Sequence, residues 1–248
     1  TDWHLMHLGA RAVGGAALVC AEATAVEPRG RISPHDLGIW KDEHVPGLAR
    51  VVRFIAEHGA VPAIQLAHAG RKASTARPWE GGGVVEPARG GWIPVAPLPI
   101  PFGPGSPVPQ ALGLEELRAI ERAFREAARR AREAGFQALE LHAAHGYLLH
   151  EFLSPLSNLR EDAYGGSFAN RIRLVLEIVD AIRQEWPDRL PLLLRISTTD
   201  WVEGGWDVEQ SIELCRRVRQ HGVDLVDCSS GGIVPHAKVP VAPGYQVP

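Results

Sequence analysis

The sequence predicts a parallel α/β protein, and three observations support that prediction. Short apolar runs alternate with longer stretches of helical period along the 248 residues. The apolar runs show no alternation of polar and apolar residues, which is typical of parallel strands buried on both faces. Three helical stretches end at Gly59, Gly135 and Gly222, each directly before an apolar run. A glycine that ends a helix directly before the next strand is typical of repeated βα units.

The spacing of the apolar residues predicts five strands and five helices along the chain. The clearest helix covers 114–134, where Leu117, Ile120 and Phe124 belong to an apolar stripe among Glu and Arg residues. The predicted strands are 16–23, 61–67, 136–142, 191–196 and 223–228. The predicted helices are 3–13, 44–58, 114–134, 170–186 and 208–221.

One long segment interrupts this alternation of strands and helices. Nine of the chain's twenty prolines lie between Gly70 and Gly113, with little helical or strand period. A loop of this length inside a compact domain usually has a function, such as a lid. We therefore expect residues 70–113 to form a loop over the mouth of a site. The alternative is a linker between two domains, but similar βα units lie on both sides, so we predict one domain over 1–248.

Composition excludes several classes of function. The net charge is −3 with acidic and basic residues interspersed, which predicts no binding to nucleic acid or to a membrane surface. The three cysteines are far apart and form no Cys-x-x-Cys pair, which favours a reduced, cytoplasmic protein over a disulfide framework. No apolar run reaches transmembrane length. The chain starts at Thr1 without an initiator Met, which indicates processing or a fragment.

Polar side chains are concentrated where the predicted strands end. The carboxyl ends of the strands are the face on which (β/α) barrels build their sites. Gln65 and Arg195 each also have a structural interpretation: Gln65 could satisfy a carbonyl of a neighbouring strand, and Arg195 could pair with a core carboxylate such as Glu140. In chain order, the polar groups are Glu22 with Thr24, Gln65 with His68, His142 with His145, Arg195 with Ser197, and Asp227 with Ser229 and Ser230.

The strongest single feature is the cluster of His142, His145 and Tyr147, directly after the predicted strand 136–142. Two imidazoles and a phenol within six residues are costly to bury and contribute little to packing. They predict a site that holds an oxygen atom of a ligand. In an alternative interpretation, His142 and His145 bind the metal of a lyase or isomerase. Catalytic zinc needs a third protein ligand, and only Glu140 faces the same way, at a deeper position.

Two further stretches predict local structure. Residues 162–166 are typical of a turn, with Ser167 or Asn170 capping the helix that follows. Trp201 and Trp206 flank Gly204 and Gly205, and they either line a pocket or pack the loop.

Seven runs of residues match a known family over essentially the whole chain. They are EATAV (22–26), GRI (30–32), QLAHAGRK (65–72), LHAAHGY (141–147), EFLSPLSN (151–158), YGGS (164–167) with Asn170 and Arg171, and DCSSG (227–231). Through these runs the chain resembles the Old Yellow Enzyme family of FMN-dependent ene-reductases, and its bacterial, thermophilic-like class in particular. The resemblance implies a TIM (β/α)8 barrel that holds FMN at its carboxyl face and binds no metal.

The resemblance also implies roles for individual residues. Ala23 would back the flavin ring, Gln65 would hydrogen-bond the pyrimidine edge, and Arg195 would lie near N1 and O2. Ser229 is a weaker candidate for a flavin contact. His142 and His145 match the pair that grips the substrate carbonyl oxygen. Tyr147 matches a nearby phenol that protonates the α-carbon, directly or through a water.

The implied reaction takes a hydride from NADPH or NADH through FMN to the β-carbon of an α,β-unsaturated carbonyl compound. Arg195 is a permanent cation and would favour the negative charge of reduced flavin near N1. The nicotinamide cofactor would stack in the same pocket as the substrate, which is consistent with the absence of a separate Gly-x-Gly-x-x-Gly unit from the sequence. Family members are usually homodimers or tetramers, so a homo-oligomer is implied.

Against the family pattern, the chain lacks the first strand and the last two βα units. The five predicted strands compare with eight in a closed barrel. We therefore expect an incomplete barrel and a segment of a longer protein. Two alternatives stay open: the barrel segment of a 2,4-dienoyl-CoA reductase-type flavoenzyme, and a truncated, non-catalytic fragment.

Overall fold

The computed structural model describes residues 1–244, and its main elements follow the predicted order. They are α1 (Asp2–Val13), β1 (Leu18–Ala25), α2 (Val45–Glu57), β2 (Val61–Ala67), β3 (Val95–Ala96), β4 (Gln110–Ala111), α3 (Leu114–Ala134), β5 (Ala138–Ala143), α4 (Leu148–Leu153), α5 (Phe168–Arg171), α6 (Arg173–Glu185), β6 (Leu192–Ser197), α7 (Val208–Gln220) and β7 (Leu225–Ser229).

The main sheet contains the five predicted strands, in the order β1-β2-β5-β6-β7. Every neighbouring pair is parallel, so each helical connection crosses back over the same side of the sheet. The register sets Gln65 opposite Glu140, and it sets Arg195 opposite both His142 and Asp227. Polar residues of four adjacent strands are thereby brought to neighbouring positions.

Apolar side chains on one face of the sheet form the core with the helices. Leu66, Leu139 and Leu141 have no exposed surface, and they belong to the same cluster as Ile120 and Phe124 of the predicted α3 stripe. Fully burying a side chain of this size contributes about 1.5–3 kcal/mol. This helix-covered face therefore supplies much of the driving force for folding.

The prediction that every strand is buried on both faces is wrong for the outer strands. In β2 and β5 nearly every residue is buried, as predicted. In β1 and β7 the burial is partial, and Leu18 and Leu225 are 47% and 52% exposed. The reason is that β1 and β7 are the two edges of the sheet in the part of the chain that the structure describes.

Two helices differ from the prediction. The predicted helix 170–186 is divided, because α5 ends at Arg171 and α6 begins at Arg173. Ser167 is the N-cap of α5, and its Oγ accepts the Asn170 backbone N–H at 3.3 Å, so the cap is Ser167 and not Asn170. Helix α4 was missed, because all six of its residues are buried and its sequence shows no helical period.

The segment 70–113 has little regular structure, as predicted. It contains short 3-10 turns at Gly70–Lys72, Pro78–Glu80 and Pro87–Arg89, and β3 pairs with β4 over two residues. Within residues 1–244, no helix combines the length and apolar character needed to cross a membrane.

Candidate active site at the carboxyl ends of the strands

The turn after β5 is built to present the side chain of His145. His145 adopts a left-handed conformation with φ 60°, and Gly146 follows with φ 72°. A Cβ atom at Gly146 would lie 2.0 Å from the carbonyl oxygen of Gly232, so only glycine fits there. Side chains from other parts of the chain also stabilise the turn. Ser197 Oγ accepts the His145 N–H at 2.9 Å, and Lys72 Nζ donates to the His145 carbonyl at 2.8 Å.

This turn brings together the three residues of the predicted cluster. The ring centroids of His142 and His145 are 5.2 Å apart, and those of His142 and Tyr147 are 5.3 Å apart. Both ring pairs meet edge to face. His145 Nε2 also lies 2.6 Å from Ser229 Oγ at the end of β7. The three side chains and Ser229 therefore converge at the carboxyl ends of β5 and β7.

A buried pair of side chains, which the sequence analysis missed, is hydrogen-bonded to this turn. His150 Nδ1 accepts the Gly146 N–H at 2.9 Å, and His150 Nε2 lies 2.9 Å from Asp200 Oδ1. Both side chains have no exposed surface. Burial acts to raise the pKa of Asp200, but the hydrogen bond and charge of His150 lower it. The available signal was His150, which with Glu151 forms a polar pair inside the otherwise apolar stretch 148–153.

Both imidazoles of the cluster are neutral at physiological pH. Burial, followed by electrostatic repulsion from a protonated His145 and from Arg195, lowers the pKa of His142 to about 3, and at neutral pH only Arg195 of these two is charged. Burial and then Arg195 lower the pKa of His145 to about 4. A neutral imidazole has one N–H donor, so each ring can donate one hydrogen bond without carrying a charge.

Two further properties of the cluster point to a polar ligand. His142 Nδ1 is buried and has no hydrogen-bond partner within the described residues. A buried nitrogen of this kind is costly unless a water or a ligand completes its hydrogen bond. Burial, and then the charge of Asp36, raises the pKa of Tyr147, so the phenol keeps its proton at neutral pH.

The opposite face of the sheet from the helices, here called the open face, carries a cavity lined by both apolar and polar side chains. The cavity has a volume of about 500 Å³, and Ala23, Gln65 and Arg195 are among its lining residues. Gln65 Nε2 donates to Glu140 Oε1 at 2.8 Å, and Arg195 Nε lies 3.3 Å from Asp227 Oδ2. Arg195 thus does pair with a carboxylate, as its structural interpretation proposed, but the partner is Asp227 and not Glu140. Gln65 likewise bonds a side chain rather than a strand carbonyl.

A second cavity lies at the mouth of the site. Its volume is about 650 Å³, and it is lined by Ala23, Tyr147 and Trp79 among others. Residues 75–79 and Gly82 of the long loop line the same cavity as Tyr147. Ala23 lines both cavities, which places its small side chain at their junction.

Other polar residues at the strand ends form hydrogen bonds within the adjacent loops. Glu22 is half exposed and bonds His4 at 2.8 Å, while the Thr24 hydroxyl donates to the Glu22 carbonyl. His68 Nε2 lies 2.7 Å from Glu27 Oε1, and its Nδ1 accepts the N–H of Gly70. These residues fix local backbone and do not join the cluster.

Of the two tryptophans in the Gly204–Gly205 loop, Trp206 is buried and donates to Ser211 Oγ at 2.7 Å. Its ring stacks on Phe168, so the loop-packing interpretation is correct for Trp206. Across residues 1–244, no group of three or more His, Cys, Asp and Glu side chains is arranged to hold a metal ion. The third ligand that the metal-dependent alternative requires is therefore not found among them.

A parallel α/β sheet with polar donors and a fixed cation at the carboxyl ends of its strands is the arrangement in which barrel-type enzymes build their sites. The chain belongs to the NADH:flavin oxidoreductase / NADH oxidase family, whose sequence model matches residues 1–246. This confirms the family that the sequence runs predicted.

Individual relatives agree with the family match. The chain is 48% identical to an NADPH dehydrogenase from Geobacillus thermodenitrificans over 246 residues, which cover 99% of this chain and 67% of the relative. It is also 48% identical to an NADH:flavin oxidoreductase from Gibberella zeae, covering 100% of this chain and 64% of the relative. The chain thus spans about two thirds of the length of these curated relatives.

The likeness extends to solved structures. Morphinone reductase superposes with a TM-score of 0.79 at 28% identity, covering 98% of this chain and 66% of that protein. A 2-naphthoyl-CoA reductase in complex with 2-naphthoyl-CoA superposes with a TM-score of 0.83 at 29% identity, covering 96% of this chain and 37% of that protein. These matches confirm the predicted barrel-type parallel α/β fold.

The residues of the open face fit FMN, the cofactor that the family implies. The amide of Gln65 uses one N–H for Glu140 and keeps an acceptor and a second N–H, which complement the polar edge of a flavin pyrimidine. Arg195 lines this cavity and its side chain is one third exposed, so the guanidinium can reach a ligand there. The small Ala23 leaves room for a ring system.

Proposed function

We propose that the protein containing this chain is an FMN-dependent NAD(P)H dehydrogenase that reduces α,β-unsaturated carbonyl compounds. The observation that carries the proposal is the pair of neutral imidazoles, His142 and His145, beside a cavity that holds Gln65 and Arg195. Neutral N–H donors suit an oxygen atom that gains negative charge during a reaction. The family match gives the cofactor that this geometry would serve.

When bound, FMN supplies the hydride, taken from NADPH or NADH, that adds to the β-carbon of the substrate. Three residues would hold the cofactor. Gln65 offers an acceptor and a donor to the pyrimidine edge, and Arg195 provides a cation that stabilises negative charge there. Ala23 lines both the cavity of the open face and the mouth cavity.

His142 and His145 bind the substrate carbonyl oxygen in this proposal. Each donates one N–H, which for His145 requires that its Nε2 accept the hydroxyl of Ser229 and that Nδ1 carry the proton. Both hydrogen bonds strengthen as negative charge develops on the oxygen. Loss of one such donor typically lowers the rate by about 10²–10³. The left-handed turn at His145 and the buried His150–Asp200 pair hold this geometry before the substrate arrives.

Tyr147 is the proposed proton donor. Its raised pKa keeps the phenol protonated, and its ring lies beside His142 and lines the mouth cavity. A phenol in this position can deliver a proton to the α-carbon, either directly or through a water.

The proposal also covers the substrate, the assembly and the cellular location of the protein. The substrate is a small enone-type molecule in the mouth cavity, and the nicotinamide cofactor alternates with it. We further propose a cytoplasmic homo-oligomer, a dimer or tetramer, of a single barrel domain that binds neither nucleic acid nor membranes. The dienoyl-CoA reductase-type alternative and the non-catalytic fragment are not favoured, because the curated relatives at 48% identity carry the names of NADPH-dependent and NADH-dependent oxidoreductases.

The test is NADPH consumption by the purified, FMN-loaded protein with cyclohex-2-enone as substrate. We expect turnover that falls by about 10²–10³ in His142→Ala, because one carbonyl donor is lost. His221→Ala is the matched control, because His221 is partly exposed, bonds Asp180 on α6 and lies outside the cluster. Equal rates for His142→Ala and the parent protein would contradict the proposal.

A further inference from the structure

Lys72 lies beside the cluster of imidazoles and phenol but has no role in the proposed reaction. It ends the 3-10 turn Gly70–Lys72, at the start of the long loop 70–113. We propose that Lys72 is a positioning residue, which holds His145 and Tyr147 in place for the substrate. The effect on substrate binding rests on the proposed function, whereas the contacts that Lys72 makes do not.

Two turns of the backbone meet directly at the Lys72 ammonium group. Gly232 lies in the loop after β7, and a Cβ atom there would be 2.7 Å from the backbone of His145. The carbonyl oxygens of His145 and Gly232 both accept from Lys72 Nζ, at 2.8 and 3.3 Å. Two carbonyl oxygens directed at one place repel each other unless a donor lies between them. An ammonium group has three N–H donors, and its charge strengthens both hydrogen bonds.

The contact with Lys72 bears on the conformation of His145. A residue other than glycine stays at φ 60° only where the surrounding structure holds it there. Ser197 accepts the backbone N–H of His145, and Ser229 Oγ lies 2.6 Å from its Nε2. Lys72 adds the third contact, at the carbonyl, and adds it from the long loop rather than from the sheet. Without this contact we expect the peptide to rotate and the imidazole to move with it.

Lys72 also contacts the aromatic ring of Tyr147. Its Nζ lies 5.1 Å from the centroid of that ring and 4.6 Å from the ring centroid of Phe102, a residue of the long loop. A cation within about 6 Å of an aromatic face is attracted to it. This attraction favours the orientation in which the Tyr147 ring lies beside His142. One side chain is thereby in contact with a proposed carbonyl donor and with the proposed proton donor.

The charge of Lys72 agrees with this role. Burial lowers the pKa of Lys72 to about 8; the charge of Arg71 adds to that shift, and an ionised Glu151 would oppose it. Lys72 therefore keeps its positive charge at neutral pH. That charge is one of the lesser causes, after burial, of the lowered pKa values of His142 and His145. It thus helps to keep both imidazoles neutral.

The neighbouring Arg71 provides a comparison. It donates to the Ile233 carbonyl at 2.6 Å and to the Ile100 carbonyl at 3.3 Å. These hydrogen bonds join the long loop to the loop after β7, and within residues 1–244 none of them involves the cluster. If Lys72 only anchored these loops, its loss would act as the loss of Arg71 does, on stability and not on the substrate site.

The contacts of Lys72 are tested on the chain without cofactor, by NMR with ¹³C-labelled lysine. The chain has three lysines, at positions 41, 72 and 238, so the spectrum is simple, and the exposed Lys41 is the internal reference. We expect the Hε signals of Lys72 to be shifted upfield by the ring currents of Tyr147 and Phe102, and less so in Phe102→Leu. Hε signals of Lys72 at the position of those of Lys41 would overturn the proposal.

The effect on His145 is tested on the same cofactor-free chain. Lys72→Met keeps the length of the side chain but removes its donors and its charge. We expect this variant to displace the imidazole NMR signals of His145 and to leave those of His221, which bonds Asp180 outside the cluster, unchanged. Lys72→Gln, which keeps one N–H₂ donor, takes its place if Lys72→Met does not fold. Unchanged His145 signals in the folded variant would overturn the positioning role.

The substrate site is tested in the FMN-loaded protein by titration with phenol, followed through the flavin absorption spectrum. Lys72→Met should weaken phenol binding about tenfold and change the Kd of FMN by less than about threefold, because a charged hydrogen bond next to the substrate donors is lost. Lys72→Arg, which keeps a cation and several donors, should recover part of the phenol affinity, and Arg71→Met should retain all of it.

Parent affinity for phenol in Lys72→Met, or an equal loss in Lys72→Met and Arg71→Met, would overturn the positioning role. If the FMN-loaded parent bound no phenol, the proposed function would be contradicted. The NMR signals of Lys72 and His145 in the cofactor-free chain would then still decide whether Lys72 holds the His145 turn.

Discussion

The two faces of the sheet come from the same strands but have opposite chemistry. Toward the helices, Leu139 and Leu141 of β5 are fully buried in the apolar core. The residues that alternate with them, Glu140 and His142, belong to the open face, where Glu140 accepts a hydrogen bond from Gln65 and His142 Nδ1 has no partner within residues 1–244. Alternate residues of one strand thus separate folding from ligand binding. Substitutions on one face should mainly change stability, and those on the other should mainly change binding.

The largest expected effect is on the open face. In the FMN-loaded protein, we expect His142→Ala with His145→Ala to abolish binding of a phenolic ligand, because both N–H donors are lost, while FMN stays bound. The measurement is the change in the flavin absorption spectrum on titration with the phenol. Release of FMN from the double variant would contradict the separation of substrate contacts from cofactor contacts.

On the helix-covered face, Leu141→Ala should destabilise the protein by about 2–5 kcal/mol, because it opens a cavity in a fully buried cluster. Urea unfolding measures this change. Leu225→Ala is the control on an edge strand, where the side chain is half exposed, and we expect a loss of less than about 0.5 kcal/mol. Similar losses for the two variants would show that the core is not concentrated between β5 and the helices.

A smaller effect is expected for the cation of the open face. Arg195→Met should slow reduction of bound FMN by NADPH by about 10–100-fold, which corresponds to loss of a charged hydrogen bond of about 1.5–3 kcal/mol. Stopped-flow absorbance at the flavin band gives this rate. Arg217→Met removes an exposed arginine of α7 that pairs with Glu213, and it should have no effect. An unchanged rate in Arg195→Met would refute the electrostatic role.

The smallest effect is a pH dependence that arises from the buried imidazole of His142. Burial lowers the pKa of His142 to about 3, so between pH 6.5 and 3 the unfolded chain takes up a proton that the folded chain does not. Stability should therefore fall with decreasing pH, by on the order of 1 kcal/mol per pH unit below 6.5. Urea unfolding at pH 7 and 5 checks this. The loss should be smaller in His142→Gln, and an equal loss would mean that His142 titrates normally.

The sequence predicted a helix or strand well where a single physical rule determines its position. The stripe of α3 and the glycine that follows it gave both the helix and its end, since period and stop agree. The six buried residues of α4 have no period, so no pattern could reveal that helix. The exposed positions of β1 and β7 were missed because burial at a sheet edge depends on which strands flank it, and composition does not encode that.

For the site, the sequence predicted the membership of the cluster but not its supports. His142, His145 and Tyr147 stood out because polar residues are costly directly after a buried strand. Their supports, His150 and Asp200, are fifty residues apart in the chain and meet only in the fold. Pairing of Arg195 with a carboxylate was one of its two interpretations, but the example given was Glu140, because strand alternation predicts a face and not the pairing within it. Register decides that pairing, and it sets Arg195 opposite Asp227.

The central claim is that the open face holds FMN through Gln65 and Arg195. The most direct measurement is a fluorescence titration of FMN with the purified chain and with a variant that combines Gln65→Leu and Arg195→Met. We predict saturable quenching with one FMN per chain, and binding weakened at least about tenfold in the variant, because two polar contacts are lost. No quenching by the parent chain, or equal affinity in the variant, would contradict the claim.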